Sequence, residues 1–305
     1  MSPRRRKITL VAVALVLFSG AALILAWPRG RVALDKRIVY YTRRSVKMEW
    51  LDPDRAAPAG TGYQTFFSPT VQRDVSYLIY LPPGYSADSQ RRYPVVYWLH
   101  SRGSNQREGA GFFVPTLNAA ILAGEVPPSI VVLLNGGIFQ SRWLDSRDGR
   151  LPTESIIMRD LIPHIDRTYR TVPDRNARAV EGFSMGGFGA AHLGFKYPQV
   201  FGVVSMFSAA LFDDIAAPAF LEATSPWKLV VRNADAIRGR TRIRMIVGNE
   251  DPLLELNRKF DQLLNELNIE HEYIVVPGVG HNAAALYQHL GERAILFYRD
   301  AWQAN

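Results

Sequence analysis

The stretch EGFSMGGFGAAHL, residues 181–193, decides the fold that this sequence predicts. Ser184 lies between Gly182 and Gly186, and further small residues follow. Where a strand turns sharply into a helix, the residue at the turn is strained, and the residues two positions away come too close together for side chains. The pattern predicts a nucleophile elbow, which holds a serine hydroxyl above a sheet near the positive end of a helix. The alternative is a glycine-rich helix start with a capping serine.

Strand-like and helix-like segments alternate on both sides of this turn. Short β-branched and aromatic runs occupy residues 75–81, 95–99, 130–134, 203–207, 242–248 and 272–277. Helical spacing of apolar residues occupies 154–169, 187–196, 252–267 and 282–302. This order predicts an α/β fold, with a mostly parallel central sheet and helices on both faces. Residues 209–240 are long for a connection and are interpreted as a lid-like insertion.

A serine hydroxyl is a weak nucleophile, so the elbow predicts a base and an acid that follow it in the chain. Among six histidines, His281 is preferred, because it stands on a glycine-flanked loop between a strand and the final helix. Asp251, directly after the strand at 242–248, is the preferred acid, with Glu250 as its alternative. Asp213 and Asp214 in the insertion are weaker candidates. The acid would fix the imidazole tautomer and stabilise its cation.

Acyl chemistry also needs two N–H donors for the oxygen of a tetrahedral intermediate. The residue after the nucleophile supplies one, which here is Met185. The second comes from the loop after an early strand. Within WLHSRGSNQ, residues 98–106, the backbone of Arg102 is the best candidate. An ordinary turn at the end of the strand is the alternative for His100 and Gly103.

The start of the chain predicts a membrane anchor. Residues 8–27 contain no charge and follow the basic residues of a tail at 1–7. A helix of that length spans roughly 30 Å, the thickness of the hydrocarbon core of a bilayer. A cleaved signal usually has a shorter apolar region, so an uncleaved anchor is preferred; with cleavage the domain would be secreted. Residues 28–62 then form a stalk and 63–305 the α/β domain, held outside the cytoplasm.

Composition excludes little else. The formal net charge is +8, but residues 1–30 hold five of these positive charges and no acid, which leaves +3 for the rest. That small excess is weak evidence for nucleic-acid binding, so no nucleic-acid partner is expected. The chain has no cysteine, which excludes disulfides, thiolate nucleophiles and cysteine metal sites.

With these elements identified, residues 74–297 resemble the esterase D-like branch of the α/β-hydrolases. That branch includes formylglutathione hydrolases, feruloyl and acetylxylan esterases, trilactone siderophore esterases and mycolyltransferases. The matching segments are YLPPGY (80–85), PVVYWLHSRG (94–103), DLIPHIDRTYRT (160–171), EGFSMGGFGAAHL (181–193), GNEDPL (248–253) and GVGHN (278–282). The resemblance implies that Ser184, Asp251 and His281 form the triad, the assignment already reached from spacing.

The chain departs from the family pattern at two places. Ser101 stands where the family usually has glycine, so the loop that supplies the second N–H donor is expected to differ in shape. The cysteine typical of cytosolic formylglutathione hydrolases is missing. Residues 135–149 lie where relatives line the substrate pocket, which makes Trp143 a candidate pocket wall; packing accounts for it equally well.

The first functional hypothesis is a serine carboxylesterase that forms an acyl-enzyme on Ser184 and needs no metal or organic cofactor. Its substrate would be a small-molecule, carbohydrate or lipid ester. The second is an acyltransferase of the mycolyltransferase type, which uses the same triad. A third is a non-catalytic binding member of the fold, against which the complete set of triad candidates argues. Peptidase activity is a weaker fourth hypothesis.

Overall fold

The computed structural model of the chain describes residues 50–52, 54–137, 141–212 and 222–303. The predicted basic tail, the anchor at 8–27 and most of the stalk lie outside these residues. Asp213 and Asp214 lie outside them too. Within the described ranges, no helix combines the length and the apolar character that a membrane span requires.

The centre of the structure is one eight-stranded sheet. Its strands are β1 (Gly62–Ser68), β2 (Arg73–Tyr80), β3 (Val95–Leu99), β4 (Ile130–Leu134), β5 (Arg178–Phe183), β6 (Val203–Phe207), β7 (Arg242–Gly248) and β8 (Glu272–Val276). They lie in the order β1-β2-β4-β3-β5-β6-β7-β8. The six strands from β4 to β8 in this order are parallel, whereas β1 and β2 add antiparallel pairs at one edge. The predicted mostly parallel sheet is confirmed.

Helices fill the connections between the strands. They are α1 (Phe113–Leu122), α2 (Thr153–Ser155), α3 (Ile162–Thr168), α4 (Met185–Lys196), α5 (Pro226–Arg232), α6 (Ala234–Ile237), α7 (Leu254–Glu266), α8 (Ala283–Leu290) and α9 (Arg293–Gln303). A π-helical segment, Ile156–Leu161, joins α2 to α3, so the helix predicted at 154–169 is continuous. Single turns of 3₁₀ helix occupy Glu108–Gly111 and Arg175–Ala177.

The two faces of the sheet are covered by different helices. Val203 belongs to the apolar cluster that includes side chains of α1, α8 and α9. Its neighbour Val204 lies against Gly194 of α4. Successive side chains of a strand point to opposite faces, so these helices cover the sheet on both sides. All five residues of β3 and of β4 are accordingly buried, as expected for apolar strands without alternation.

The domain begins earlier than the predicted boundary at residue 63. Trp50 is buried, and its carbonyl accepts the backbone N–H of Ser76 at 2.8 Å and the side-chain amide of Asn135 at 2.9 Å. Asp52 is buried beside it and pairs with Arg107 at 2.8 Å. The described part of the predicted stalk therefore packs on the domain, because its backbone satisfies polar groups that the domain would otherwise bury unpaired.

The second half of the predicted lid, residues 209–240, forms helices α5 and α6. Leu229 and Ile237 are fully buried, and the side-chain amide of Asn233 donates to the carbonyl of Phe195 at the end of α4. This part is the crossover from β6 to β7, packed against α4. The middle of the range, 213–221, lies outside the described residues, so a lid there stays a prediction.

A buried charge cluster supports α4 from the side away from the sheet. Glu154 of α2 accepts hydrogen bonds from His192 Nε2 at 2.7 Å, Lys196 Nζ at 2.6 Å and the Tyr197 hydroxyl. The other ring nitrogen of His192 faces the carbonyl of Thr224 at 2.8 Å. Burial alone would raise the pKa of Glu154, but these hydrogen bonds outweigh it and lower the pKa to about 2.

We expect this cluster to make the stability of the domain depend on pH. The pKa of Glu154 is about 2 in the folded state against an ordinary 4.5. Its contribution, about 3 kcal/mol, is therefore fully present above pH ~4.5 and is lost as the pH falls toward ~2. Urea unfolding of the wild type and Glu154→Gln should differ most at neutral pH and converge on acidification. Glu266→Gln, at an exposed position, is the control and should show no such convergence.

Candidate active site

Three predicted site residues meet at one edge of the sheet. Ser184 directly follows β5, Asp251 follows β7, and His281 follows β8. These strands are parallel, so their carboxyl ends lie at the same edge, where open α/β sheets bind their ligands. Residues far apart in the sequence are brought together by topology alone.

The turn at Ser184 has the strained geometry that the glycine pattern predicts. Ser184 has φ 58° and ψ −112°, in a region that residues with side chains rarely adopt. A Cβ on Gly182 would lie 2.4 Å from the carbonyl of Gly186, and a Cβ on Gly186 would lie 2.0 Å from the carbonyl oxygen of Leu99. Backbone therefore packs on backbone at both positions. The elbow also aims the serine at the start of α4, where the helix dipole is positive.

Gly186→Ala should therefore destabilise the domain and displace the elbow. The new methyl group would meet the carbonyl of Leu99, which is part of β3 and has no freedom to move aside. We expect a loss of about 3 kcal/mol or more in the free energy of unfolding. Chemical denaturation would measure it. Gly111→Ala is the matched control, because a methyl group there would meet nothing within 4 Å. Equal stability of the two variants would contradict the backbone contact at Gly186.

A continuous chain of hydrogen bonds joins the three residues. The Oγ atom of Ser184 lies 2.9 Å from Nε2 of His281, and Nδ1 of His281 lies 2.8 Å from Oδ2 of Asp251. A carboxylate only accepts, so Nδ1 carries the hydrogen toward Asp251. The neutral ring then presents Nε2 as the acceptor for the serine hydroxyl. This is the arrangement in which an imidazole can take the proton of a serine.

The structure brings Asp251 to the imidazole and leaves Glu250 outside. The side chain of Asp251 is fully buried, and its Oδ1 accepts the backbone N–H of Leu253 at 2.8 Å. Burial would raise the pKa of Asp251, but the hydrogen bonds from His281 and from the backbone N–H of Leu253 oppose this effect, and the pKa lies below its ordinary value. Glu250 is exposed, and its backbone N–H donates to the carbonyl of Val279. Asp251 therefore remains a carboxylate at neutral pH.

The imidazole of His281 is supported from one side and open on another. The ring of Phe183 lies 4.7 Å from it, centroid to centroid, at an angle of 34°. The side chain of His281 is 32% exposed, so a substrate can reach it from solvent. Phe183 directly precedes the nucleophile and was not singled out by its sequence context.

The loop after β3 lies against the first turn of α4, next to the nucleophile. The close approach of Gly186 to Leu99 and His100 establishes this contact. Ser101, where glycine is usual, is held by Glu108, whose carboxylate accepts its N–H at 2.6 Å and its hydroxyl at 2.7 Å. The N–H of Ser101 is thus occupied. In the described part of the chain, the N–H of Arg102 donates to no acceptor, and it is the next donor along the loop.

Glu108 is a contributor to this loop that the sequence did not reveal. It lies seven residues after the serine that it holds, in a single 3₁₀ turn, and no motif connects the two positions. The sequence offers one hint of such a partner, which is Ser101. A serine that replaces glycine in a tight loop needs a hydrogen-bond partner for its hydroxyl.

His100 and Trp143 pack against each other and hydrogen-bond to backbone carbonyls of the loop after β3. His100 Nε2 accepts the N–H of Gly136 at 3.2 Å, so Nδ1 donates to the carbonyl of Ser101 at 2.8 Å. Burial lowers the pKa of His100 to about 4, which keeps this ring neutral. Trp143 is fully buried and donates its indole N–H to the carbonyl of His100 at 3.2 Å. Trp143 thus has the packing role that the sequence left open, and substrate contact there stays a prediction.

The remaining histidines serve other contacts. His192 belongs to the Glu154 cluster, His271 pairs with Asp261 at 2.7 Å, and His164 faces the hydroxyl of Tyr77 at 3.0 Å. His289 faces the carbonyl of Ala285 within its own helix. Among the described residues, no group of three or more histidine or acidic side chains is arranged to hold a metal ion.

Comparison with known proteins identifies the family of the chain. Residues 68–292 match the model of the Esterase family, described as "Putative esterase". Esterase Rv1288 of Mycobacterium tuberculosis (strain H37Rv) is 30% identical over an alignment of 241 residues, and the match covers 67% of this chain and 51% of that protein. An endo-1,4-beta-xylanase/feruloyl esterase of Xylanibacter ruminicola is 30% identical over an alignment of 159 residues, and the match covers 48% of this chain and 21% of that enzyme.

A solved structure of a ferulic acid esterase superposes with a TM-score of 0.69 at 23% identity, covering 79% of this chain and 98% of that one. This likeness shows the fold. The chain spans about half the length of the mycobacterial relative and about a fifth of the Xylanibacter enzyme.

Proposed function

The chain belongs to the Esterase family, and from this premise we propose that it is an ester hydrolase whose catalytic triad is Ser184, His281 and Asp251. The observation that carries the proposal is the chain of two hydrogen bonds, 2.9 Å and 2.8 Å long, from Ser184 through His281 to Asp251. Each residue also lies on the connection that follows a parallel strand. No other histidine in the described residues contacts a serine hydroxyl in this way.

In this mechanism His281 Nε2 takes the proton from Ser184 as Oγ attacks the carbonyl carbon of the ester. The tetrahedral intermediate then loses the alcohol, which receives the proton from the imidazolium, and the acyl group stays on Ser184. Water attacks the acyl-enzyme, again with His281 as the base, and releases the acid. Asp251 holds the imidazole in the required tautomer and stabilises its positive charge.

We propose the backbone N–H groups of Met185 and Arg102 as the donors to the oxyanion. Met185 is the first residue of α4, where N–H groups have no acceptor within the helix. Support for Arg102 comes from Ser101, whose own N–H is bound to Glu108. Two preorganised donors of this kind each contribute roughly a hundredfold or more to the rate.

The substrate is proposed to be a carboxylic ester of a small molecule or of a carbohydrate. The names of one relative and of one solved neighbour refer to feruloyl or ferulic acid esters, so an aromatic acyl group is the first to test. The exposed edge of His281 leaves space for a leaving alcohol.

The test compares the wild type with Ser184→Ala, and Ser86→Ala, a substitution of an exposed serine, is the control. The substrates are p-nitrophenyl esters of increasing chain length and methyl ferulate. We expect hydrolysis and fluorophosphonate labelling in the wild type and in Ser86→Ala, and neither in Ser184→Ala. Labelling of Ser184 without hydrolysis would favour acyl transfer to another alcohol. A folded wild type that shows neither reaction would contradict the proposal.

We further propose the domain organisation and location expected from the sequence. Residues 8–27 would anchor the chain in a membrane, with the domain outside the cytoplasm. The support is the uncharged run of twenty residues after the basic residues at 4–7. Alkaline carbonate extraction of membranes from cells that express the full chain tests the anchor. Retention in the pellet is expected, whereas release into the supernatant would contradict it. Protease added to intact cells or spheroplasts tests the orientation.

A further inference from the structure

A polar cluster is enclosed in the core below the nucleophile. Its members are Glu181, Ser205, Arg244, Tyr287 and Tyr298, and each is no more than 3% exposed. We call these five residues the Glu181 cluster. It lies on the face of the sheet that α8 and α9 cover.

Glu181 is the acceptor at the centre of the cluster. One carboxylate oxygen accepts the hydroxyl of Tyr287. The other accepts the hydroxyl of Tyr298 at 2.6 Å and a guanidinium N–H of Arg244 at 3.1 Å. Burial raises the pKa of both tyrosines well above the ordinary value, and the charge of Glu181 adds to this. Both phenols therefore remain protonated donors.

Arg244 completes the pairing of charges. It donates to the hydroxyl of Ser205 at 3.0 Å and to the carbonyl of Ala294, near the start of α9, at 2.8 Å. Apolar residues of similar volume would often stabilise a core as well as a buried ion pair does. Stability alone is therefore a weak reason for this cluster.

The cluster connects the elements that carry the three proposed triad residues. Glu181 lies on β5, three positions before Ser184, and Arg244 lies on β7, seven positions before Asp251. Tyr287 lies on α8, which begins two residues after His281. One member of the cluster thus stands on each of the three elements.

The hydrogen bond between Tyr287 of α8 and Glu181 affects the position of His281, the proposed base. Asn282 caps this helix, with its side-chain oxygen accepting the N–H of Ala285 at 3.0 Å, and His281 is the residue directly before the cap. The ring of Tyr287 stacks on Phe207 of β6 at 4.6 Å, and its hydroxyl donates to Glu181 of β5, so α8 is tied to two neighbouring strands of the sheet. A displacement of about 1 Å at a reacting group can cost roughly a hundredfold in rate.

We propose that Glu181 is a positioning residue, which holds α8 through the hydroxyl of Tyr287 and so keeps His281 within hydrogen-bond distance of Ser184. The proposal rests on the catalytic roles given above for Ser184 and His281. The proposal predicts that loss of the Tyr287 hydroxyl lowers kcat and that loss of the Tyr298 hydroxyl does not, although both hydroxyls donate to Glu181. Tyr287 is on the helix next to His281, whereas Tyr298 is on α9, which carries no proposed site residue.

The test compares Tyr287→Phe with Tyr298→Phe in the full chain. Each variant loses one hydroxyl bond to Glu181 and keeps its ring. We expect similar losses in the thermal midpoint, because both bonds are equally buried. Well below either midpoint, kcat of Tyr287→Phe should fall roughly 10- to 100-fold with little change in KM, while Tyr298→Phe stays close to wild type. Fluorophosphonate labelling of Ser184 should slow by the same factor in Tyr287→Phe alone.

Equal effects of the two substitutions on kcat, or no effect of either, would overturn the positioning role. A wild type without serine-dependent activity would instead overturn the proposed function, which separates the two failures. If Tyr287→Phe does not fold, the same comparison is made in Glu181→Gln/Arg244→Met. That background removes both buried charges and keeps an acceptor for the tyrosine, and replacements of this kind are often neutral for folding. There too, only Tyr287→Phe should lower kcat.

Discussion

Replacing Ser184 by alanine should lower kcat on the order of 10⁶-fold, because the members of a triad such as the proposed one act as a unit, so that loss of the nucleophile alone costs about as much as loss of all three. The substitution removes only one oxygen, and Ser184 is the residue whose Oγ lies 2.9 Å from the imidazole. Measurement of kcat on a p-nitrophenyl ester with single-turnover kinetics checks the result. A variant that keeps a hundredth of wild-type activity would exclude Ser184 as the nucleophile.

The same position offers a matched pair for stability. Alanine keeps the side chain at φ 58° and ψ −112°, whereas glycine adopts this conformation at little cost. Backbone strain of this kind costs about 1–3 kcal/mol of the free energy of unfolding, and glycine removes it. Part of this gain is offset because glycine loses more conformational freedom on folding than alanine does. Ser184→Gly should therefore be inactive and more stable than Ser184→Ala. A lower thermal midpoint for the glycine variant would show that the turn is not strained.

Asp251→Asn should lower kcat roughly 10⁴-fold while leaving the fold intact. The amide has the same shape, but its NH₂ group can donate toward His281 Nδ1 and so favour the tautomer with hydrogen on Nε2. That tautomer cannot accept the proton of Ser184. In the proposed mechanism the buried carboxylate also stabilises the imidazolium, and the amide has no charge with which to do so.

Glu250→Gln is the matched control, since it makes the same chemical change one position earlier at an exposed site. It should leave kcat close to wild type. Side-by-side pre-steady-state measurements would show both results. If the two substitutions had similar effects, the acid would not be Asp251 and the hydrogen bond of 2.8 Å would have no catalytic role.

The sequence predicts those features of the fold and of the site that depend on residues close together in the chain. The sequence predicts the elbow because two backbone segments can approach so closely only where both positions, here Gly182 and Gly186, have no side chain. The order of strands and helices was readable from periodicity, and His281 from its place after the strand that became β8. The sequence favours Asp251 over Glu250 as the acid, and the structure brings Asp251 to the imidazole.

What the sequence could not predict depends on contacts between distant elements. Nothing near Glu181 indicates that Tyr287, 106 residues later, will donate to it. Glu108 was missed for the same reason, and Trp143 could be a wall or a packing residue until its burial was known. The range 28–62 looked like a stalk because Trp50 and Asp52 are isolated in a polar segment without periodicity. Their partners lie on β2 and on the loops after β3 and β4.

The packing of Trp50 limits how far the chain can be shortened. A recombinant form that begins at Tyr63 would leave the backbone N–H of Ser76 and the amide of Asn135 without the carbonyl that they share. A buried N–H without a partner, as at Ser76, costs about 1–3 kcal/mol, before the lost burial of the indole is counted. Such a form would be prone to aggregate, and loss of its activity would be mistaken for loss of a catalytic residue. Recombinant forms of the domain should therefore start upstream of Trp50.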